Sequence, residues 1–181
     1  MKNTAALSLL LLLACANASA IEIEGTPKYK KQVEACLGLL ERKASAEYEF
    51  IRSHIGIIAQ NKRSGMRAWE VPPRYQMSDT TAFYSVTWCA GTIAHDAYHS
   101  YLYKKHAAIN GENNGNGEKP AYELWGGKSA EKEAIEFQLK VMKKIGASAH
   151  EINYLTSLDG THGDANSDGK LDGEDYKQRN W

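Results

Sequence analysis

Thr92-Ile-Ala-His-Asp-Ala-Tyr-His-Ser100 carries two histidines, His95 and His99, four positions apart in a stretch that reads as the middle of a helix. At about 100° per residue, positions i and i+4 share one face one turn apart, so both imidazoles can reach a single cation. Asp96, at i+1, leans over that point from the side. With His95 as the origin, Trp88, Leu102 and His106 fall on the same face. That face is apolar and is expected to point inward. Buried imidazoles need polar partners, and a metal ion supplies one partner to both.

A second helix is expected downstream. Ser129 reads as its cap and Gly146 as its end, with Lys143 and Lys144 in the last turn, where cations favour the dipole. On a helical wheel Ala130, Ala134, Phe137, Val141, Met142 and Ile145 form one face. Glu131 lies in the middle of that face with Gln138 further along it, whereas Glu133 projects beside Lys140 and Lys144 on the solvated side. A carboxylate aimed into an apolar face is neutralised, ion-paired or bound to metal. Glu131 is therefore the expected third ligand, with a buried ion pair as the alternative.

The His95-Asp96-x-x-His99 helix, followed some thirty residues on by a helix bearing Glu131 and, three residues later, Ala134, resembles the gluzincin branch of the zincin metallopeptidases. Those enzymes carry His-Glu-x-x-His, so Asp96 stands where the family has Glu. The resemblance covers roughly residues 85–145. It implies an α+β, zincin-like fold, a small sheet packed on a metal-binding helix, with zinc on His95, His99 and Glu131. It also implies a peptide or protein substrate and Asp96 as the proton acceptor for the attacking water. His106 is the rival third ligand by analogy with metzincins. No Gly separates it from His99, and seven residues of helix place it about 10 Å away, too far to share an ion. Tyr101, Tyr103, His106, His150 and Tyr154 are the candidates for stabilising an oxyanion.

Upstream, Pro27 suits a first helical turn, and Val33, Cys36, Leu37, Leu40 and Ala44 follow at helical spacing, predicting a helix over 27–46. Ile55-Gly-Ile-Ile-Ala59, the turn-like Asn61-Lys-Arg-Ser-Gly65 and a second strand over 66–71 predict a hairpin closed by Pro72-Pro73. The zincin resemblance adds an edge strand over 74–77 beside the active helix. That helix is expected to start near Ser85 or Thr87 and end near His106, with Gly91 marking close packing one turn before His95. Residues 110–120 read as a polar loop.

The ends of the chain carry their own signals. Met1–Ala20 has one charge at Lys2, an apolar run over 5–14 and the small-residue ending Ala18-Ser19-Ala20, the pattern of a secretory signal peptide. Leu12-Leu13-Ala14-Cys15 resembles a bacterial lipobox, which makes a lipoprotein anchored at Cys15 the alternative to a free secreted or periplasmic protein. Loss of Lys2 leaves 21 basic against 22 acidic residues, a balance that gives no sign of nucleic-acid binding. No segment is long enough for a transmembrane helix. Of the 3 cysteines, Cys36 and Cys89 remain after processing, and an even pair in an exported protein reads as a disulfide.

At the other end, Asp164, Asn166, Asp168, Asp172 and Asp175 occupy positions 1, 3, 5, 9 and 12 of a loop with Gly169 at position 6. This resembles an EF-hand calcium loop in which Lys170 offers its backbone carbonyl; Asp at position 12 and Leu171 at position 8 are closer to dockerin loops. A dockerin has two such loops, so its partner does not carry over. The expected organisation is a signal peptide over 1–20, a zincin-like domain over 21–158 and a calcium loop with a short helix over 159–181. Two functions follow: an exported zinc metallopeptidase-like hydrolase that also binds calcium, or a non-catalytic zinc- and calcium-binding interaction module on the same scaffold.

Overall fold

The computed structural model describes residues 20–114 and 119–178. The stretch up to Ser19, where the signal peptide is expected, the tip of the expected polar loop at 115–118 and the last three residues lie outside them. In chain order the elements are β1 (Glu22–Glu24), α1 (Pro27–Lys43), α2 (Ser45–His54), β2 (Ile57–Asn61), β3 (Gly65–Arg67), β4 (Arg74–Ser78), α3 (Asp79–Tyr84), α4 (Val86–Asn114), α5 (Lys128–Ile145), α6 (Ala149–Ser157) and α7 (Gly173–Gln178), with a 3₁₀ turn over Tyr122–Leu124 before α5. This is a mixed α+β architecture: a helical body around α4, and one four-stranded sheet.

The first helix starts as its sequence implies, with Pro27 in the first turn and the Thr26 side chain accepting from the Tyr29 amide. It is shorter than 27–46. The chain breaks at Ala44 and continues as α2, an interruption that no Pro or Gly announces. Tyr29, Val33, Cys36 and Leu40 are fully buried, and Cys36 is bonded to Cys89 at the start of α4. The disulfide expected from the cysteine count is thus present, and it ties α1 to the histidine-bearing helix.

The sheet departs from the expected hairpin. Its order is β1-β2-β4-β3: β2 pairs in parallel with both β1 and β4, and only β3 and β4 are antiparallel. Residues 57–61 and 65–67 are therefore not hairpin partners. Instead β3 folds onto β4, with Met66 opposite Tyr75. Strand β4, expected at the edge, is interior, and the edge belongs to β3. Central placement fits its residues, since Tyr75 and Met77 are fully buried.

Helix α4 runs past His106 to Asn114, so part of the expected polar loop is helical. Its Gly91 meets α5: a Cβ there would lie 2.5 Å from Met142 Sδ, so any larger residue would force the Met142 side chain to move. Contacts of Gly91 with Met142 and of His95 and His99 with Glu131 show that α4 and α5 run antiparallel. Ser129 does not cap α5. The N-cap is Gly127 without a side-chain bond, and Ser129 lies inside the first turn; the far end is Gly146 with φ +80°, as expected. Among the described residues no helix is long and apolar enough to cross a membrane.

Candidate metal centre

Antiparallel packing brings one turn of α4 against the first turn of α5. Ala130, Ala134, Val141 and Met142 bury the α5 face, and Glu131 is buried among them while Glu133 is exposed. Glu133 accepts a hydrogen bond from the Tyr98 hydroxyl at 3.1 Å. Position in the first turn of α5 suits Glu131 electrostatically, because unpaired amides there carry partial positive charge.

The donor atoms converge. His95 Nε2 lies 2.9 Å from His99 Nε2, 3.2 Å separates His95 Nε2 from Glu131 Oε2, and 3.6 Å separates His99 Nε2 from the same oxygen. Glu131 Oε2 makes no hydrogen bond of acceptable geometry although it is buried. Three ligands on one tetrahedral ion with bonds of about 2.0–2.1 Å are separated by about 3.3 Å. The observed spacings bracket that value. Among the described residues this is the only group of three or more His, Cys, Asp or Glu whose ligand atoms all lie within 4.8 Å of one another.

The outer contacts fix a tautomer. His99 Nδ1 is 2.6 Å from the Trp125 carbonyl, which can only accept, so Nδ1 carries the proton and Nε2 of the neutral ring keeps its lone pair for the shared point. That carbonyl comes from the residue just after the 3₁₀ turn. For His95, Nδ1 has no hydrogen-bond partner of good geometry, although the Gln138 amide stands beside the ring.

Titration follows from burial and proximity. Burial alone would lower His99, but the Glu131 carboxylate, helped by Asp96 and the Trp125 carbonyl, raises it to about 9. His95 is lowered, chiefly by burial and also by the neighbouring His99 charge, against the pull of Glu131. Burial would raise Glu131, yet the two imidazoles hold it well below the usual carboxylate range. Without an ion the cluster thus keeps one proton, on His99, balancing one carboxylate. A divalent cation bound there would replace that proton.

The cluster opens into a cavity of about 840 Å³. Asp96 lines it, buried, close enough for its charge to act on both His99 and the fully buried Tyr75. Of the candidates for oxyanion stabilisation, His150 and Tyr154 line the cavity. Tyr101 packs against Phe50 and His54, Tyr103 against Trp125, and His106 does not line the cavity.

Two residues at the site escaped the sequence reading. Tyr75 brings a buried hydroxyl from β4 to the wall beside Asp96. His162 places Nε2 3.8 Å from Glu131 Oε2, on the cavity side. It arrives because the chain after α6 crosses the start of α5 at Gly160, whose φ is +89° and where a Cβ would lie 2.6 Å from the Lys128 carbonyl; Lys128 and Asp159 add an ion pair at 3.6 Å. A Gly at the crossing was a possible sequence signal, but it does not say what lies opposite.

The acidic loop after His162 is locally ordered by its own backbone. Asp164 accepts from the amides of Asp168 and Gly169, Asn166 from Asp168, Asp168 from Lys170, and Asp175 from Ala165 and Asp172, at distances from 2.8 to 3.1 Å. Gly169 makes the expected left-handed turn, φ +82°. Comparison with protein-family models, with curated proteins and with solved structures gave no match to this chain.

Proposed function

We propose that the protein is an exported zinc-dependent hydrolase of peptide bonds, with His95, His99 and Glu131 as ligands. The observation that carries the reading is the spacing of the three donor atoms around one point inside a cavity large enough for a substrate. A bound zinc supplies Lewis acidity that lowers the pKa of water and polarises a carbonyl. Asp96 takes the proton of the attacking water and passes it to the departing amine. His162 lines the cavity as a donor toward negative charge that develops on the carbonyl oxygen. Trp125, through its carbonyl, keeps the His99 ring oriented.

Export is supported by the amino-terminal pattern and by the Cys36–Cys89 bond, a feature of oxidising compartments. Calcium binding at 164–175, through Asp164, Asn166, Asp168, the Lys170 carbonyl, Asp172 and Asp175, is supported by the loop register and the Gly169 turn.

His162 also favours a second reading. If it moves onto the ion, the site has four protein ligands, and a closed site of that kind is structural. The protein is then a zinc- and calcium-binding interaction module without turnover. The test is cleavage of a broad peptide library by the zinc-loaded protein. Loss of cleavage in Asp96→Asn with zinc retained, and retained or raised cleavage in Asp96→Glu, are the expected results. No cleavage by wild type and Asp96→Glu alike would discard the hydrolase and leave the module.

A further inference from the structure

The cavity does more than hold an ion, because aromatic rings stand at both ends of the histidine pair along α4. Toward the amino-terminal end, Trp88 is two turns before His95 and packs between Tyr84 and Tyr154, with ring centroids 5.6 and 5.7 Å away. Toward the other end, Trp125 contacts Trp69 and Tyr103 at 5.9 and 5.4 Å, and its carbonyl holds His99. The outer rings are open to a ligand: Tyr84 is 57% exposed, Tyr154 49% and Trp69 42%. Tyr84, Trp88 and Tyr154, and likewise Trp69 and Trp125, line the one cavity that contains the cluster.

The separation of the two ring groups sets the length of the ligand. Trp88 and His99, the residue that the Trp125 carbonyl holds, are eleven helical residues apart, about 16 Å, the length of about five extended residues. The cavity wall also carries polar side chains, among them Arg67, Gln76, Gln138 and His150, but the exposed rings at its two ends offer apolar faces, which bind bulky apolar side chains through area and edge-to-face contacts.

We infer that the site takes extended peptides carrying a large apolar or aromatic residue on each side of the metal centre, the Tyr84–Trp88–Tyr154 cluster holding one and the Trp69–Trp125 pair the other. The peptide class comes from the hydrolase reading above, and the experiment separates the two. Binding to zinc-loaded Asp96→Asn protein is measured by calorimetry with three probes. One is a capped ten-residue Gly/Ser peptide with Phe placed on both sides of its centre, the second is the same peptide without Phe, and the third is a β-1,4-linked glucose hexamer.

The Phe peptide is expected to bind at least about tenfold tighter than either other probe. Trp69→Ala and Tyr154→Ala, both partly exposed positions, are each expected to weaken it by about tenfold while zinc content stays unchanged. Equal affinity for the two peptides, unchanged affinity in both variants, or tighter binding of the hexamer overturns the inference. Ring-dependent peptide binding without any cleavage by wild type would uphold it and remove the hydrolase instead.

Discussion

The cluster at His95, His99 and Glu131 and the acidic loop at 164–175 are both candidate cation sites, but they are built differently. The first is assembled by two helices whose contributing residues lie far apart in sequence, and its donor atoms are held 2.9 to 3.6 Å apart by packing. The second is local: its carboxylates accept from amides a few residues away. Burial gives the helix-built centre preorganisation, since moving Glu131 away would leave a charge in an apolar wall. In the loop Asp175 is buried but Asn166, Asp168 and Asp172 are exposed, so most of its ligands are expected to rearrange on binding, which lowers affinity. The difference teaches that a metal site's strength depends on what positions its ligands, as well as on their number.

The largest expected effect is at the helix-built centre. Glu131→Ala or His99→Ala is expected to abolish stoichiometric zinc, measured by metal analysis of the desalted protein, while Asp96→Asn keeps it and the exposed Glu133→Ala changes little. Zinc loss in Glu133→Ala with retention in Glu131→Ala would break the comparison, because burial would then not be what selects the ligand.

Next comes the scaffold. The bond between Cys36 and Cys89 closes a separation of 53 residues, and its removal is expected to cost roughly 2 to 4 kcal/mol by denaturant titration. Since it anchors the start of α4, the loss is expected to weaken zinc retention but leave calcium affinity unaltered. Equal weakening of both would show that the two regions are not independent.

Protons sharpen the contrast further. His99 is raised from its ordinary 6.5 to about 9, so in zinc-free protein its contribution to stability is complete below 6.5 and is lost as pH rises through about 9. Glu131 is lowered from 4.5, so its contribution is present above 4.5 and is lost as pH falls. Burial lowers His95 from 6.5, so its contribution is present above 6.5 and is lost as pH falls; chelated protein is therefore expected to be most stable near 6.5. Zinc must displace the His99 proton, so its apparent affinity is expected to rise about tenfold per pH unit from 6.5 toward 9. Calorimetry across that range checks the slope; a flat profile would contradict it.

The smallest effect belongs to the loop. Calcium is expected to bind with a dissociation constant of order 10⁻⁴ to 10⁻³ M, to be lost in Asp164→Ala and Asp168→Ala, and to add only about 1.4 kcal/mol at ten times that constant. Binding tighter than about 10⁻⁶ M would mean the loop is as preorganised as the helical centre.

How much of this was legible in the chain depends on distance along it. His95, His99 and Glu131 could be read because helical periodicity shows a polar side chain on an apolar face without any knowledge of the partner. Cys36 and Cys89 followed from counting. Strands of three to five residues carry too little alternation to reveal that β2 and β4 are parallel neighbours, which is why the hairpin expected over 55–71 and the edge placement of β4 do not hold. The break at Ala44 had no turn residue to mark it, and a backbone cap at Gly127 was taken for a side-chain cap at Ser129. His162 was hidden for another reason. It reaches Glu131 only through the close crossing at Gly160, a tertiary event with no periodic trace.

X-ray absorption at the zinc edge, on the mature protein loaded with one equivalent and compared with His95→Ala, tests the central claim most directly. The account predicts two imidazole nitrogens at about 2.0–2.1 Å and a carboxylate oxygen at about 2.0–2.2 Å, with the imidazole signal halved or the metal lost in the variant. Zinc that fails to bind, or a spectrum that His95→Ala leaves unchanged, would contradict it.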